Sequence, residues 1–563
     1  MHIRSFDSEQ NILTRLSPRM VAAFTDAGFW GRGTIFGSAK EHADRDPSRI
    51  AIRDGGVAIG YGDLIRLAEG TAGRLAEQGL KPGDRVAAWM SSRCELAVLL
   101  LACAKAGFVL CPSLHRNHTV AEVADLIKRM RAKALFVETN FGADAEGSDI
   151  IAEARKDTDL RLAVTLEAVA QRSVADLEAL LVAGTVRKLE RTDQSTDIVY
   201  LAFTSGTTGE PKGVLHSSDT LLSNARAIAA DWGFDAASVI YTLGPLSHNL
   251  GFGALVLSLA VGSELVLHDL PRGASLVDRL EDVGATFLFG VPAHAMDLLQ
   301  ALEEHDKQTE TLLPGLKGFR ISGAAVPSWV VERLAALNIK AQSGYGMTEA
   351  CSHHYTLPDD PVERITSTSG RACPGYEVKI FSADDPDKPV PVGEIGHIGG
   401  RGASLMMGYF DDQSATERAF NADGWFMTGD LGKMDEQGYL TLTGRLKEII
   451  IRGGHNIHPS KIEQLAMRFP DVERAAALGI ADERLGEKVC LVVMPKAQRR
   501  IDPQSLLAHL DRSGLSKYDM PEYFLEVPEI PLSASGKMLK RALIPAIDDG
   551  TLNPTPIRFS GAS

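Results

Sequence analysis

The chain has 563 residues, 44% hydrophobic and 23% charged, with 53 glycines. That is a globular composition, long enough for several modules or one large composite domain. The net charge is −14 with no dense Lys/Arg run, which argues against a nucleic-acid partner, since phosphate neutralisation needs a basic stripe.

The N-terminal segment MHIRSFDSEQNILTRL has no apolar core of the signal-peptide kind, so a cytoplasmic protein is expected. From residue 61 an alternating pattern sets in. Leu64, Leu67, Ala68, Leu75 and Ala76 share one helical face, and Gly79 is placed to end that helix. DRVAAWM reads as a strand, ELAVLLLACAKA as a helix and GFVLCP as the next strand; the rhythm returns in KALFVE, DIVYLAF, SELVLHD, ATFLFGVP and GLKGFRISGAA. Helix alternating with buried strand predicts a parallel sheet covered on both faces. The longest apolar stretch, Leu250 to Gly262, carries glycines and is followed by Ser263 and Glu264, too short to span a bilayer. Past residue 370, YEVKIF, GEIGHIGGRG and GYLTLTGR read as short strands with Gly-rich turns, a small β-rich part. From LKEIIIRGGHNIHPSKIEQLAMRF onward the pattern predicts an independent α+β module, with the boundary at Leu446–Lys447. The six cysteines form no CxxC pair and sit mostly in apolar surroundings, as reduced core thiols do. His115–His118 and His353–His354 lack a Cys or carboxylate spaced to complete a metal site, so solvated or core histidines are expected.

Residues 201–218, LAFTSGTTGEPKGVLHSS, crowd Thr204, Ser205, Thr207 and Thr208 with Gly206 and Gly209, then place Lys212. A strand running into such a loop turns successive N–H groups and hydroxyls into one concavity that suits phosphate oxygens. It is not a P-loop. Counted from Gly206, the second required glycine is Pro211, and Gly213 follows Lys212 where Ser or Thr is needed.

TSGTTGEPKG resembles the signature loop of the adenylate-forming superfamily: acyl-CoA synthetases, aryl-CoA ligases, beetle luciferases and peptide-synthetase adenylation domains. SGYGMTEA (343–350), GWFMTGDLG (424–432), GRLKEIIIRGGHNIHP (444–459) and LSASGKMLKR (532–541) follow in the family's order, so the resemblance runs from about residue 35 to 545. It implies an α/β fold: a large domain of parallel-rich βα sheets with a small β-barrel-like part (1–446), and a smaller mobile α+β domain (447–563). It also implies an ATP-dependent acid–CoA ligase. A carboxylate attacks the α-phosphorus of ATP, pyrophosphate leaves, and coenzyme A then displaces AMP, with Mg²⁺ as the metal.

By this resemblance Thr204, Ser205, Gly206, Thr207, Thr208, Gly209 and Lys212 hold the β- and γ-phosphates. Thr348 contacts the α-phosphate, Glu349 holds Mg²⁺, and Gly344, Tyr345 and Gly346 flank the adenine. Asp430 and Arg445 bind the ribose. Lys537 bridges the attacking carboxylate and the α-phosphate. Lys447 is the hinge, and Gly453 and Gly454 belong to the face used with coenzyme A. His248, Asn249, Phe252, Ala324, Ala325 and Gly344 line the acyl pocket, which reads as mostly apolar; Trp425 is a core anchor. No aspartate occurs in 245–253, which disfavours an amino acid and leaves an uncharged aliphatic, alicyclic or aromatic acid of modest size. Lys461 stands where the family usually has an acidic residue, at a helix start, and Leu532 where a basic or polar one is common. Transfer to a carrier protein, luciferase-like oxygenation and a non-catalytic binding role are the alternatives. A homodimer is expected, with the carboxylate, ATP and coenzyme A as small-molecule partners and no nucleic acid.

Overall fold

The computed structural model describes residues 12–559, apart from 157, 168–171, 184–188, 190, 192, 205–210, 269, 272, 306–312, 325, 454 and 533–537. Contacts divide the chain into two compact units, Met1–Glu377 with Arg401–Phe420, and Val378–Gly400 with Asn421–Ser563.

The first unit holds two large mixed sheets. In one, six strands run parallel: Ile50–Asp54, Glu264–Leu267, Val239–Thr242, Phe287–Gly290, Gly318–Ser322 and Lys340–Met347. Antiparallel strands close both of its edges, Val57–Gly60 at one and Cys351–Tyr355 with Arg371–Ala372 at the other. In the other sheet Leu162–Leu166, Ala132–Glu138, Arg85–Trp89, Val109–Cys111 and Ile198–Thr204 are parallel, and Lys212–Ser217 and Gly408–Tyr409 add antiparallel. The alternating sequence thus builds two sheets rather than one, with antiparallel edges. Helix Cys94–Ala106 packs on strands of both, and so does Ser218–Trp232. Apart from Glu95 and Lys105 at its ends, Cys94–Ala106 is apolar or small all round and almost wholly buried, the composition a helix needs when sheets cover it on two sides. The first predicted helix runs Tyr61–Glu77, and Gly79 follows at φ +83°. That left-handed conformation is costly for a residue with a Cβ.

The second unit contains a four-stranded sheet in the order Tyr376–Phe381, Gly396–Gly402, Phe426–Met434, Leu440–Arg445, the predicted β-rich part. A further sheet is centred on Gly486–Pro495, which pairs antiparallel with Val472–Asp482 and parallel with Tyr523–Glu526. Its two faces are both covered. Ala475, Ala477, Val489, Leu491 and Val493 pack under helices Pro459–Ala466 and Pro503–Arg512, while Ala476, Leu478, Cys490 and Val492 pack with Leu525, Ile530 and Leu543 on the other face. Alternate residues going to opposite cores is what the two-residue strand period requires. All six cysteines are buried and free, and Trp425 is buried against Phe381. Among the described residues no helix is long and apolar enough to cross a membrane.

Candidate active site

In the first unit the signature loop links two antiparallel strands, Ile198–Thr204 and Lys212–Ser217, with Thr204 opposite Lys212. The chain after the loop is therefore a strand and not the helix of a P-loop. Ser205, Gly206, Thr207, Thr208 and Gly209 lie outside the described residues. Lys212 Nζ sits 4.7 Å from the centre of the Tyr409 ring, and the Tyr409 hydroxyl donates to Glu349 Oε1 at 3.0 Å. Burial, with the neighbouring Glu349 carboxylate, pushes the Tyr409 phenol well above its ordinary value, so it stays a donor. Tyr409 is brought there because Gly408–Tyr409 zips onto Leu215 and Val214.

SGYGMTEA spans the end of strand Lys340–Met347 and the turn into Cys351–Tyr355. A Cβ on Gly346 would lie 2.3 Å from the Cys351 carbonyl, so only glycine permits this close return of the chain. Tyr345 is buried, its ring edge-on to His353 with centroids 4.8 Å apart. Thr348 is half-buried, and its carbonyl lies 2.7 Å from His216 Nε2. His216 Nδ1 is 3.0 Å from Thr220 Oγ1, and burial lowers the imidazole to about 4. A neutral imidazole thus fixes the backbone of Thr348.

Of the residues expected to line an acyl pocket, His248 stands at the N-cap of helix Asn249–Val261 and stacks on His115 with ring centres 4.0 Å apart. Asn249 Nδ2 is 3.5 Å from the Met347 carbonyl, which ties this helix to the SGYGMTEA strand. Phe252 is buried, stacked on Tyr200 at 4.0 Å. Ala324 is exposed just past strand Gly318–Ser322, and Ala325 lies outside the described residues. His353 and His354 are buried core residues with their Nδ1 atoms 2.8 Å apart.

In the second unit Asp430 and Arg445 are directly opposite in one antiparallel ladder, joined by an Nε–Oδ1 contact of 3.2 Å. Gly429, at φ +81°, donates its N–H to His397 Nε2 at 2.8 Å, and Thr428 Oγ1 donates to the Ile398 carbonyl at 3.0 Å. Burial lowers the His397 imidazole, opposed by Asp430, in keeping with Nε2 acting as acceptor. Lys447 is exposed in the short 3₁₀ turn Leu446–Glu448. Lys461 is exposed in the first turn of helix Pro459–Ala466, where a helix start was expected. Gly453, at φ +57°, makes the turn between Ile450–Arg452 and His455–Ile457; Gly454 lies outside the described residues, as does Lys537. The flanks of the Lys537 loop are held, since Leu532 and Met538 form a β-bridge. Lys540 Nζ reaches Glu448 Oε2 at 2.9 Å and Glu463 Oε1 at 2.8 Å, and these two carboxylates raise its basicity against the effect of burial.

Tyr409, His216 and His397 were missed from the sequence. Tyr409 falls in the apolar run SLMMGYF, and His216 and His397 each stand alone inside a strand, with no local pattern to single them out. Among the described residues, the one group of three metal-ligand types is Asp54, Cys94 and Glu95. Arg172 pairs with both carboxylates and Arg93 with Glu95, so this is a buried ion-pair network.

Residues 39–410 match the AMP-binding enzyme family, and residues 461–537 match the AMP-binding enzyme C-terminal domain. Asp430, Arg445 and Lys447 lie between the two matched stretches, and Lys537 is the last residue of the second. The chain is 31% identical over 538 residues to the medium-chain fatty-acid–CoA ligase of Escherichia coli, covering 95% of this chain and 94% of that protein. It is 32% identical over 534 residues to a Streptomyces salicylyl-CoA synthase / salicylate adenylyltransferase, covering 92% and 95%. Among solved structures, ATP-bound MatB from Rhodopseudomonas palustris aligns with a TM-score of 0.80 at 29% identity, over 92% of this chain and 99% of that one.

Proposed function

The chain belongs to the AMP-binding enzyme family and is an AMP-forming acyl-CoA synthetase, and from that premise we propose how its residues divide the work and which acids it takes. An acid oxygen attacks the α-phosphorus of ATP and the bond to pyrophosphate breaks. The coenzyme A sulfur then attacks the acyl carbon, and the bond to AMP breaks. The first step sets an anion against a polyanion, so the protein must act through placed positive charge and alignment.

Thr204, Ser205, Gly206, Thr207, Thr208, Gly209 and Lys212 hold the β- and γ-phosphates, the charge of Lys212 being steered by the face of Tyr409. Thr348 contacts the α-phosphate, its backbone pinned by His216. Gly344, Tyr345 and Gly346 flank the adenine. Asp430 accepts hydrogen bonds from the two ribose hydroxyls, with Arg445 beside it, and His397 holds the turn that presents Asp430. Lys537 lies over the reacting carboxylate and α-phosphate during adenylation. The segment 447–563 turns about Lys447 to replace Lys537 with the Gly453–Gly454 face for thioester formation.

Mg²⁺ is the implied metal, and the donor set suits it. Glu349 is a buried hard-oxygen donor held by Tyr409, and Mg²⁺ commonly takes one or two carboxylates and completes its shell with phosphate oxygens and water. Bound there, it supplies charge neutralisation on the triphosphate. The acid is an aliphatic, alicyclic or aromatic carboxylate of modest size, consistent with the mostly apolar wall formed by Leu221, Ile228, Leu250, Phe252 and Val256.

The observation that carries this reading is the array at the base of the signature hairpin in which half-buried Lys212 meets the buried Tyr409–Glu349 pair. The test is acid-dependent ATP–pyrophosphate exchange over a panel of carboxylates, followed by detection of the CoA thioester. Exchange with at least one acid is expected, and CoA-thioester in the same reaction. Absence of exchange with every acid, at high protein and Mg²⁺, overturns the adenylation roles; exchange without CoA-thioester moves the acceptor to a carrier protein.

A further inference from the structure

Arg320 lies on strand Gly318–Ser322, in the middle of a sheet, and is only 4% exposed. Its Nη1 donates to Gln342 Oε1, the residue opposite it on the neighbouring strand, but its Nη2 has no hydrogen-bond partner. The guanidinium carbon stands 5.8 Å from the Phe289 ring centre and 5.4 Å from that of Tyr355. Among the described residues no carboxylate forms an ion pair with it; Asp231, near Tyr355, is occupied by the Tyr355 hydroxyl at 2.8 Å. Burial lowers Arg320 to about 10, which leaves it charged at neutral pH. Burying a cation without a counter-charge is expensive, and buried charges in proteins are as a rule paired.

Arg320 lines a cavity of about 30 Å³, together with Phe289, Phe252, Asn249, Ile228 and Leu257 among others. That volume holds a water-sized polar group. Asn249 and Phe252 are assigned above to the acyl pocket, and Nη2 lies 3.6 Å from where a Cβ on Gly344 would stand, so the bare backbone of Gly344 lets the guanidinium pack close to the SGYGMTEA strand. The other amides there are engaged: Asn224 donates to the Ser352 carbonyl at 3.0 Å and accepts from its N–H at 3.2 Å, and Asn249 faces the Met347 carbonyl.

We propose that Arg320 is a specificity residue that receives an acceptor oxygen, carboxylate or carbonyl, at the far end of the acyl substrate. The inference rests on the reading of this site as one that adenylates a carboxylic acid, and it replaces the expected plain uncharged acid with one that carries a second oxygen function. A matched unfunctionalised acid leaves Nη2 unpaired in an apolar wall, and sites built around a hydrogen bond reject the analogue that lacks it far more strongly than a pocket rejects a missing methylene.

The test is ATP–pyrophosphate exchange by the full chain over straight-chain acids of matched length, each as the plain, terminal-keto and terminal-carboxylate form. In the wild type, kcat/KM for the best oxygenated acid is expected to exceed that of its plain counterpart by about a hundredfold. Arg320→Met is expected to bring that ratio to about one or below, and Arg320→Lys to retain part of the preference. Thermal shift of the wild type with ATP and the same acids gives a readout free of turnover. If Arg320→Met does not fold, the wild-type ratio and the Lys variant decide. Equal or better use of the plain acids, with exchange intact, overturns the role of Arg320 and leaves the adenylation reading standing. Exchange with no acid at all overturns both.

Discussion

In the first unit Lys212, Glu349 and Tyr409 come from three segments far apart in the chain and meet only because a strand pairing carries Tyr409 onto the signature hairpin. In the second unit Asp430 and Arg445 are partners across a single ladder of two successive strands. The ion pairs differ in burial instead. Asp54, Glu95, Arg93 and Arg172 form a buried network, whereas the Arg452–Glu522 pair is partly open to water, its side chains 28% and 25% exposed. Buried charges depend on the packed core around them to keep their partners, while half-exposed ones can fall back on water.

The largest expected effect tests that contrast directly. Arg172→Ala leaves two buried carboxylates without one of their partners and should cost about 3–5 kcal/mol of unfolding free energy, against about 1 kcal/mol or less for Arg452→Ala, read from urea midpoints. Equal losses would erase the contrast. Next, Lys537→Ala should lower pyrophosphate exchange by about 10²–10³-fold while sparing thioester formation from supplied acyl-adenylate; equal loss in both halves would refute its restriction to adenylation.

Acid should act on the first unit through buried neutral histidines. His216 is lowered to about 4 and His354 to about 3 by burial, below the ordinary value near 6.5. The unfolded chain therefore takes up these protons first as the pH falls. Their stabilisation is complete above about pH 6.5 and declines toward the folded values, by about 2 kcal/mol for His216 between pH 6.5 and 5. Comparing urea midpoints at pH 7 and pH 5 in the wild type and His216→Gln should show a flatter response in the variant. The smallest effects lie in paired contacts. Tyr409→Phe should couple to Glu349→Gln by about 0.5–1.5 kcal/mol in a double-mutant cycle on kcat/KM, and Asp430→Asn to Arg445→Gln by about 1 kcal/mol or less.

Much of the chain was legible before folding. The strands read from KALFVE, DIVYLAF and ATFLFGVP, the helix ended by Gly79, and the helical start at Lys461 all appear where their local periods place them. The return of Lys212–Ser217 as an antiparallel strand did not show, because a hydrogen-bonded hairpin and a strand–loop–helix begin with the same Gly- and Thr-rich run. The second sheet and its antiparallel edges were equally hidden, since an alternating pattern fixes what is buried but not which strand lies beside it. Arg320 was hidden for a related reason: an arginine in FRISGAA acquires meaning only from the Gln342, Phe289 and Tyr355 that surround it.

By itself the sequence determined most of the elements, because periodicity is a local property carried by neighbouring residues, and the order of its motifs carried the resemblance that implied the family reaction. Tertiary structure alone decided that Tyr409 stands between Lys212 and Glu349, that His216 holds Thr348, and that one buried guanidinium lines a small cavity with a nitrogen left unpaired. Those placements depend on strand partners and on the loss of water around polar groups, and neither exists until the sheets have closed.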